Sequence, residues 1–91
     1  MESTAMLTGL AAAEVRERRL AEEERIEIER ITDRAREELP SDGVPIPLQE
    51  YLFAVSRSAR VDLLDAKRAL SRLRHFGEAD YRFGVGVSRR N

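Results

Sequence analysis

The 91-residue chain contains no cysteine and no tryptophan, a single histidine and a single lysine. Without cysteine there is no disulfide framework and no thiolate nucleophile, and a reducing, cytoplasmic setting fits. One histidine, His75, cannot by itself build a metal site or serve a histidine-based catalytic pair, and near a helix end it is expected to cap carbonyls or face solvent. Aromatic residues are scarce, three phenylalanines and two tyrosines, so the core is thin. No apolar run approaches the roughly 18 residues a membrane span requires, and no membrane partner is expected. The start, MESTAMLTGLAAA, lacks the basic n-region of a signal peptide and reads as mature chain. No proline occurs before Pro40.

Abundant charge takes the place of what is absent: 36% of residues are charged against 42% hydrophobic, and the net charge is −1. That near-neutrality hides an asymmetry. Residues 1–56 carry seven basic against thirteen acidic residues, net −6, and residues 57–91 carry nine against four, net +5. A basic half suggests a polyanionic partner, or packing against an acidic surface.

Residues 3–39 read as one helix rich in Ala, Glu, Arg and Leu. Met6, Leu7 and Leu10 to Ala13 form an apolar head. Glu14 to Arg30 is a charged middle with Glu/Arg spacings suited to side-chain pairs. Ile28, Ile31, Ala35 and Leu39 resume an apolar stripe. At 1.5 Å per residue such a helix is about 55 Å long, longer than the remainder can cover. Residues 1–27 are therefore expected to project and to pair with another copy or dock on a larger protein through Met6, Leu7 and Leu10. Residues 28–91 are expected to form the compact module.

Pro40 stops the helix and Ser41-Asp42-Gly43 is turn chemistry. Val44-Pro45-Ile46-Pro47 must be extended and can be an edge strand at most. Leu48–Val55 reads as a short helix, Ser56–Arg60 as a joint, and Ser58 as the N-cap of the next helix. In that helix, Val61–Gly77, an apolar face is expected to hold Leu63, Ala66, Leu70, Leu73 and Phe76 or Gly77. The opposite face carries Asp65, Arg68, Arg72 and His75, flanked by Lys67, Ser71 and Arg74. Beyond Gly77, the alternation of Tyr81, Phe83, Val85 and Val87 predicts one half-buried strand, and Gly84 and Gly86 leave its other face open to close approach or bending.

Nothing in these patterns assembles a catalyst. Glu22, Glu23 and Glu24 diverge around a helix, Ser56 and Ser58 have no nearby base, and the glycines of FGVGV lie in a strand rather than before a helix start that could bind phosphate. The expected protein is not an enzyme and needs no cofactor or metal. Tyr51, Phe53, Tyr81 and Phe83 fit a core better than a base-stacking platform.

The order of elements, with ALSRLRHFG at residues 69–77 followed by an aromatic-containing strand, resembles a winged helix-turn-helix domain over about residues 28–88. It departs from that pattern in a joint longer than the usual tight turn and in one visible C-terminal strand where a wing has two, with Glu78 to Asp80 the one candidate for a short first strand. The resemblance implies an α+β, mostly helical fold with a minor sheet. It also implies a dimeric DNA-binding regulator or accessory factor whose helix 61–76 enters the major groove. Arg60, Lys67, Arg68, Ser71, Arg72 and Arg74 would then meet DNA, and Arg82, Arg89 and Arg90 would suit phosphates beside the wing. The rival reading is a protein-interaction adaptor, inhibitor or assembly subunit that docks through the long first helix.

Overall fold

A computed structural model describes the backbone of residues 2–90 and the side chains of residues 18–90. Three helices, α1 (Glu2–Glu37), α2 (Leu48–Ala59) and α3 (Leu63–His75), precede a hairpin of β1 (Ala79–Arg82) and β2 (Gly86–Arg89). The fold is thus mostly helical with a small antiparallel sheet, of the α+β class. None of its helices, among the described residues, is long and apolar enough to cross a membrane.

On α1, every residue from Arg18 to Arg30 is exposed, and among the residues whose side chains are described the first buried position is Ile31. The exposed stretch is held by side-chain pairs one turn apart, Arg25 with Glu22 and Glu29, and Arg30 with Glu27. Such pairs stabilise a solvated helix by a few tenths of a kcal/mol each. Arg18 and Arg19 stand four residues before Glu22 and Glu23, a spacing suited to pairing, yet form neither pair; Arg25 takes Glu22 instead. Ile31, Ala35 and Leu39 enter the core as their spacing predicts, while Ile28, one turn earlier, is 41% exposed.

The helix pair α2–α3 is tighter than its sequence suggests. Helix α2 runs four residues past Val55 to Ala59, and Arg60 closes it in the left-handed conformation, φ 57° and ψ 51°. The Val61 amide bonds back to the Ser56 carbonyl at 3.0 Å, and the Ser56 hydroxyl donates to the Val61 carbonyl. Left-handed backbone is uncommon outside glycine, so no residue pattern marked this stop. The joint is only Arg60-Val61-Asp62. The N-cap of α3 is Asp62 rather than Ser58: its carboxylate accepts the Asp65 amide at 2.9 Å.

The buried face of α3 is Ala66, Ala69, Leu70 and Leu73. Leu63 and Phe76, expected in the core, are 40% and 60% exposed. Leu63 stands at the first residue of the helix and opens on the cleft toward α2. Phe76 is the C-cap, past the last packed turn, where it meets His75 edge-on at 5.9 Å.

The expected single strand is a hairpin instead. Tyr81 pairs with Val87 and Arg82 with Gly86, and Phe83-Gly84-Val85 is the turn, closed by a Val85 amide to Arg82 carbonyl bond of 3.0 Å. Gly84, at φ 78°, permits the reversal. Phe83 and Val85 therefore sit outside, 94% and 56% exposed. The other extended piece behaves as expected: Ile46 and Val87 exchange backbone bonds of 2.9 and 2.7 Å, so the lateral order is Ile46, β2, β1. Gly86 makes this approach possible. A Cβ there would lie 2.2 Å from the Ile46 carbonyl oxygen.

Leu73 is fully buried and Leu63 is not, which fixes how α3 is turned. Leu73→Ala is expected to cost about 2–5 kcal/mol in urea unfolding, and Leu63→Ala less than about 1 kcal/mol; equal losses would place the helix in another rotation.

Candidate functional site

The expected DNA-contacting residues divide into two sets. Two of them are tied to other elements of the module, Arg89 from an exposed position. Arg72 is half-buried and its Nε donates to the Thr32 hydroxyl at 2.8 Å, while that hydroxyl donates to the Ile28 carbonyl at 2.7 Å. Arg72 lies three residues after buried Ala69, on the flank of α3 that meets α1, so it is not on the open face. Burial there pulls its guanidinium below the ordinary arginine range. Arg89 reaches across to the Arg36 and Leu39 carbonyls at 3.4 and 3.3 Å. It meets carbonyls at the end of α1, the Arg36 one shared with the Leu39 amide, where the helix dipole also favours a cation.

The others remain outside. Lys67, Arg68, Ser71 and Arg74 are exposed along one face of α3, with exposed Arg60 at the joint. Arg74 extends this face to the hairpin, its guanidinium 5.8 Å from the centre of the Tyr81 ring. Arg82 is exposed on β1, and Arg90 is exposed after β2 with its amide bonded to the Glu78 carbonyl. Arg68 and Arg82 touch Asp65 and Asp80 at 3.7 Å. Exposed pairs this long hold their partners weakly and leave both guanidiniums able to turn to another anion.

Next to this basic face is an apolar cleft that sequence reasoning missed. Gln49, Leu52 and Phe53 of α2 and Leu63, Leu64 and Lys67 of α3 line a volume of about 280 Å³. Phe53 and Leu64 are 50% and 55% exposed. A signal was present: at about 100° per residue, Leu64 lies about 120° around the helix from Leu70, off the buried stripe. Phe53 and Phe83 were read as core aromatics, and both stand in solvent. Met6, Leu7 and Leu10, expected to bind a partner, lie outside the residues whose side chains are described.

Arg36 has a role its place on the acidic helix did not suggest. Its Nε and a terminal nitrogen bond the two carboxylate oxygens of Glu78 at 2.6 and 2.9 Å, and its other nitrogen meets Asp33 at 2.6 Å. This two-point grip ties the end of α1 to the residue before β1. Those hydrogen bonds hold the Glu78 carboxyl below its usual range. Among the described residues no group of three His, Asp or Glu side chains is placed to hold a metal ion.

The chain matches no family model, and no curated protein or solved structure shows detectable similarity to it.

Because the folded value of Glu78 is depressed, its contribution to stability is present above the unfolded carboxyl pKa of about 4.3 and is lost as pH falls through the lower folded value. Arg36→Met should therefore destabilise the protein at pH 7 and have a smaller effect at pH 3 or below, as read from thermal melts across that range. A penalty that did not shrink in acid would assign Arg36 a packing role alone.

Proposed function

We propose that residues 28–90 are a winged helix-turn-helix module that binds duplex DNA, without catalysis, as a small transcriptional regulator or accessory factor. Two features that departed from this pattern in the sequence agree with it in the fold. The joint between α2 and α3 has three residues, and the hairpin supplies a second strand, giving the lateral order Ile46, β2, β1. The observation that carries the reading is the outward face of α3. Lys67, Arg68, Ser71 and Arg74 are exposed there, between Arg60 at the joint and Arg82 on the hairpin. In this reading α3 enters the major groove, where arginine can bond the O6 and N7 of guanine, and the hairpin lies along a phosphate backbone.

A second reading is favoured by one specific observation, the apolar cleft of Phe53, Leu63 and Leu64. A surface for DNA alone has no use for these residues, and a protein-docking surface does.

Arg68→Ala, at a base contact, is expected to cost about 1–3 kcal/mol and relax preference at one position, while Arg82→Ala at a phosphate should flatten the salt dependence by about one unit of slope. Arg72→Ala should act on folding instead, through the lost bond to Thr32. Arg36 is unsuitable as a neutral control because it grips Glu78; Arg34, whose one ion pair is with exposed Glu37 on the same helix, takes that place. Fluorescence anisotropy against random duplexes at several salt concentrations reads all four. Binding no tighter than about millimolar at low salt, weaker than ordinary non-specific association, or equal losses from Arg34 and Arg68, would remove DNA binding and leave protein docking in its place.

A further inference from the structure

The cleft between α2 and α3 has a composition that selects its occupant. Its floor is Leu52, Phe53, Leu63 and Leu64. Its rim carries Lys67, which lines it, with Arg57 exposed one turn after Phe53 on the same face of α2 and Glu50 exposed one turn before it. A second nearby acid, Asp62, is engaged in capping α3. At about 280 Å³ and open to solvent, the cleft lies below the roughly 300–1,000 Å³ of sites that enclose small molecules. It suits a few aliphatic side chains from a helix laid across it, with acidic residues at the ends of that helix.

One segment of this chain has that chemistry. Met6, Leu10 and Ala13 recur at steps of four and three, and Glu2 and Glu14 flank them with no basic residue before Arg16. The segment cannot reach the cleft of its own molecule. Ala13 precedes Ile31, where α1 enters the core, by about 27 Å of continuous helix.

The geometry points to a reciprocal dimer in which the N-terminal segment Glu2–Glu14 of each chain seats Met6 and Leu10 in the Phe53–Leu64 cleft of a second copy, with Glu14 or Glu2 against Lys67. Mutual exchange uses the same pair of surfaces twice and so closes the assembly at two chains. It covers the apolar head of α1 and the exposed leucines of α3 with one interface. The inference does not rest on DNA binding and is tested without DNA.

Lys67 is the only lysine, which makes the contact traceable by zero-length carbodiimide coupling of the full-length protein. A mixture of unlabelled and 15N-labelled chains is coupled and digested, and the linked peptides are weighed. The expected product joins Lys67 of one isotope to Glu2 or Glu14 of the other, and light scattering of the uncoupled protein gives a dimer mass. Leu64→Glu, on an exposed side chain, should leave the fold intact by circular dichroism and weaken dimerisation about tenfold or more; Phe53→Ser is the second variant for the same measurement. Lys67→Glu should weaken the dimer, and adding Glu14→Lys should restore it. A monomer mass for the native chain at every concentration overturns the inference. So does a dimer indifferent to both Leu64→Glu and Phe53→Ser, or one whose Lys67 links run solely to carboxylates beyond Glu17.

Discussion

The end of α1 and the two residues after it, from Thr32 to Leu39, fasten every other element of the module. Tyr51 of α2 donates its hydroxyl to the Ala35 carbonyl at 2.6 Å, and burial raises that hydroxyl's pKa, so it stays a donor. Arg72 of α3 donates to Thr32, Glu78 before β1 is gripped by Arg36, and Arg89 at the end of β2 holds the Arg36 and Leu39 carbonyls. Apolar packing by Ile31, Ala35 and Leu39 is non-directional and would tolerate sliding; these polar ties set the register of each element against α1. The arrangement suits a small module with a thin core. Among the described residues no buried side-chain nitrogen or oxygen lacks a hydrogen-bond partner, so the ties avoid the penalty of half-satisfied polar burial.

This use of arginine explains why the candidate surface was only partly legible in the sequence. Periodicity distinguishes a buried apolar stripe from a polar one, and it placed Ala66, Leu70 and Leu73 correctly. It does not distinguish an arginine in water from one whose stem crosses a helix interface to reach a carbonyl or hydroxyl. Arg72 and Arg89 counted as free cations in the sequence and are structural fasteners in the fold. Arg36, on the acidic half of the sequence, is a two-point link between distant segments. Lys67, Arg68, Ser71 and Arg74 remain exposed.

The fold was legible wherever a local rule decides conformation and obscure where a tertiary contact does. Pro45 and Pro47 left Ile46 as an edge residue, and it forms one bridge. Arg60, by contrast, takes a left-handed stop with no glycine to announce it, held by the Ser56 bonds around it. The hairpin was hidden by an accident of alternation. Tyr81 and Val87 face the module from two different strands, and Phe83 and Val85 between them belong to the turn. Gly86 was the better clue: its bare position admits the Ile46 backbone, and that single close approach selects which strand of the hairpin lies inside.

Lys67 is where the two surfaces of α3 meet. It lines the apolar cleft on the α2 side of the helix and stands one turn before Ser71 on the open face. An acidic helix seated in the cleft would neutralise Lys67 and leave Arg68, Ser71 and Arg74 facing outward, with Arg82 beside them on the hairpin. The leucines at the start of α3 would then be covered by protein rather than presented to a nucleic acid, whose grooves offer them little beyond thymine methyl groups. Dimerisation through the cleft and DNA binding through the open face are thus compatible in space and chemistry, because adjoining residues of one helix carry opposite solvent preferences: aliphatic side chains with Lys67 at their rim on one flank, guanidiniums and a hydroxyl on the other.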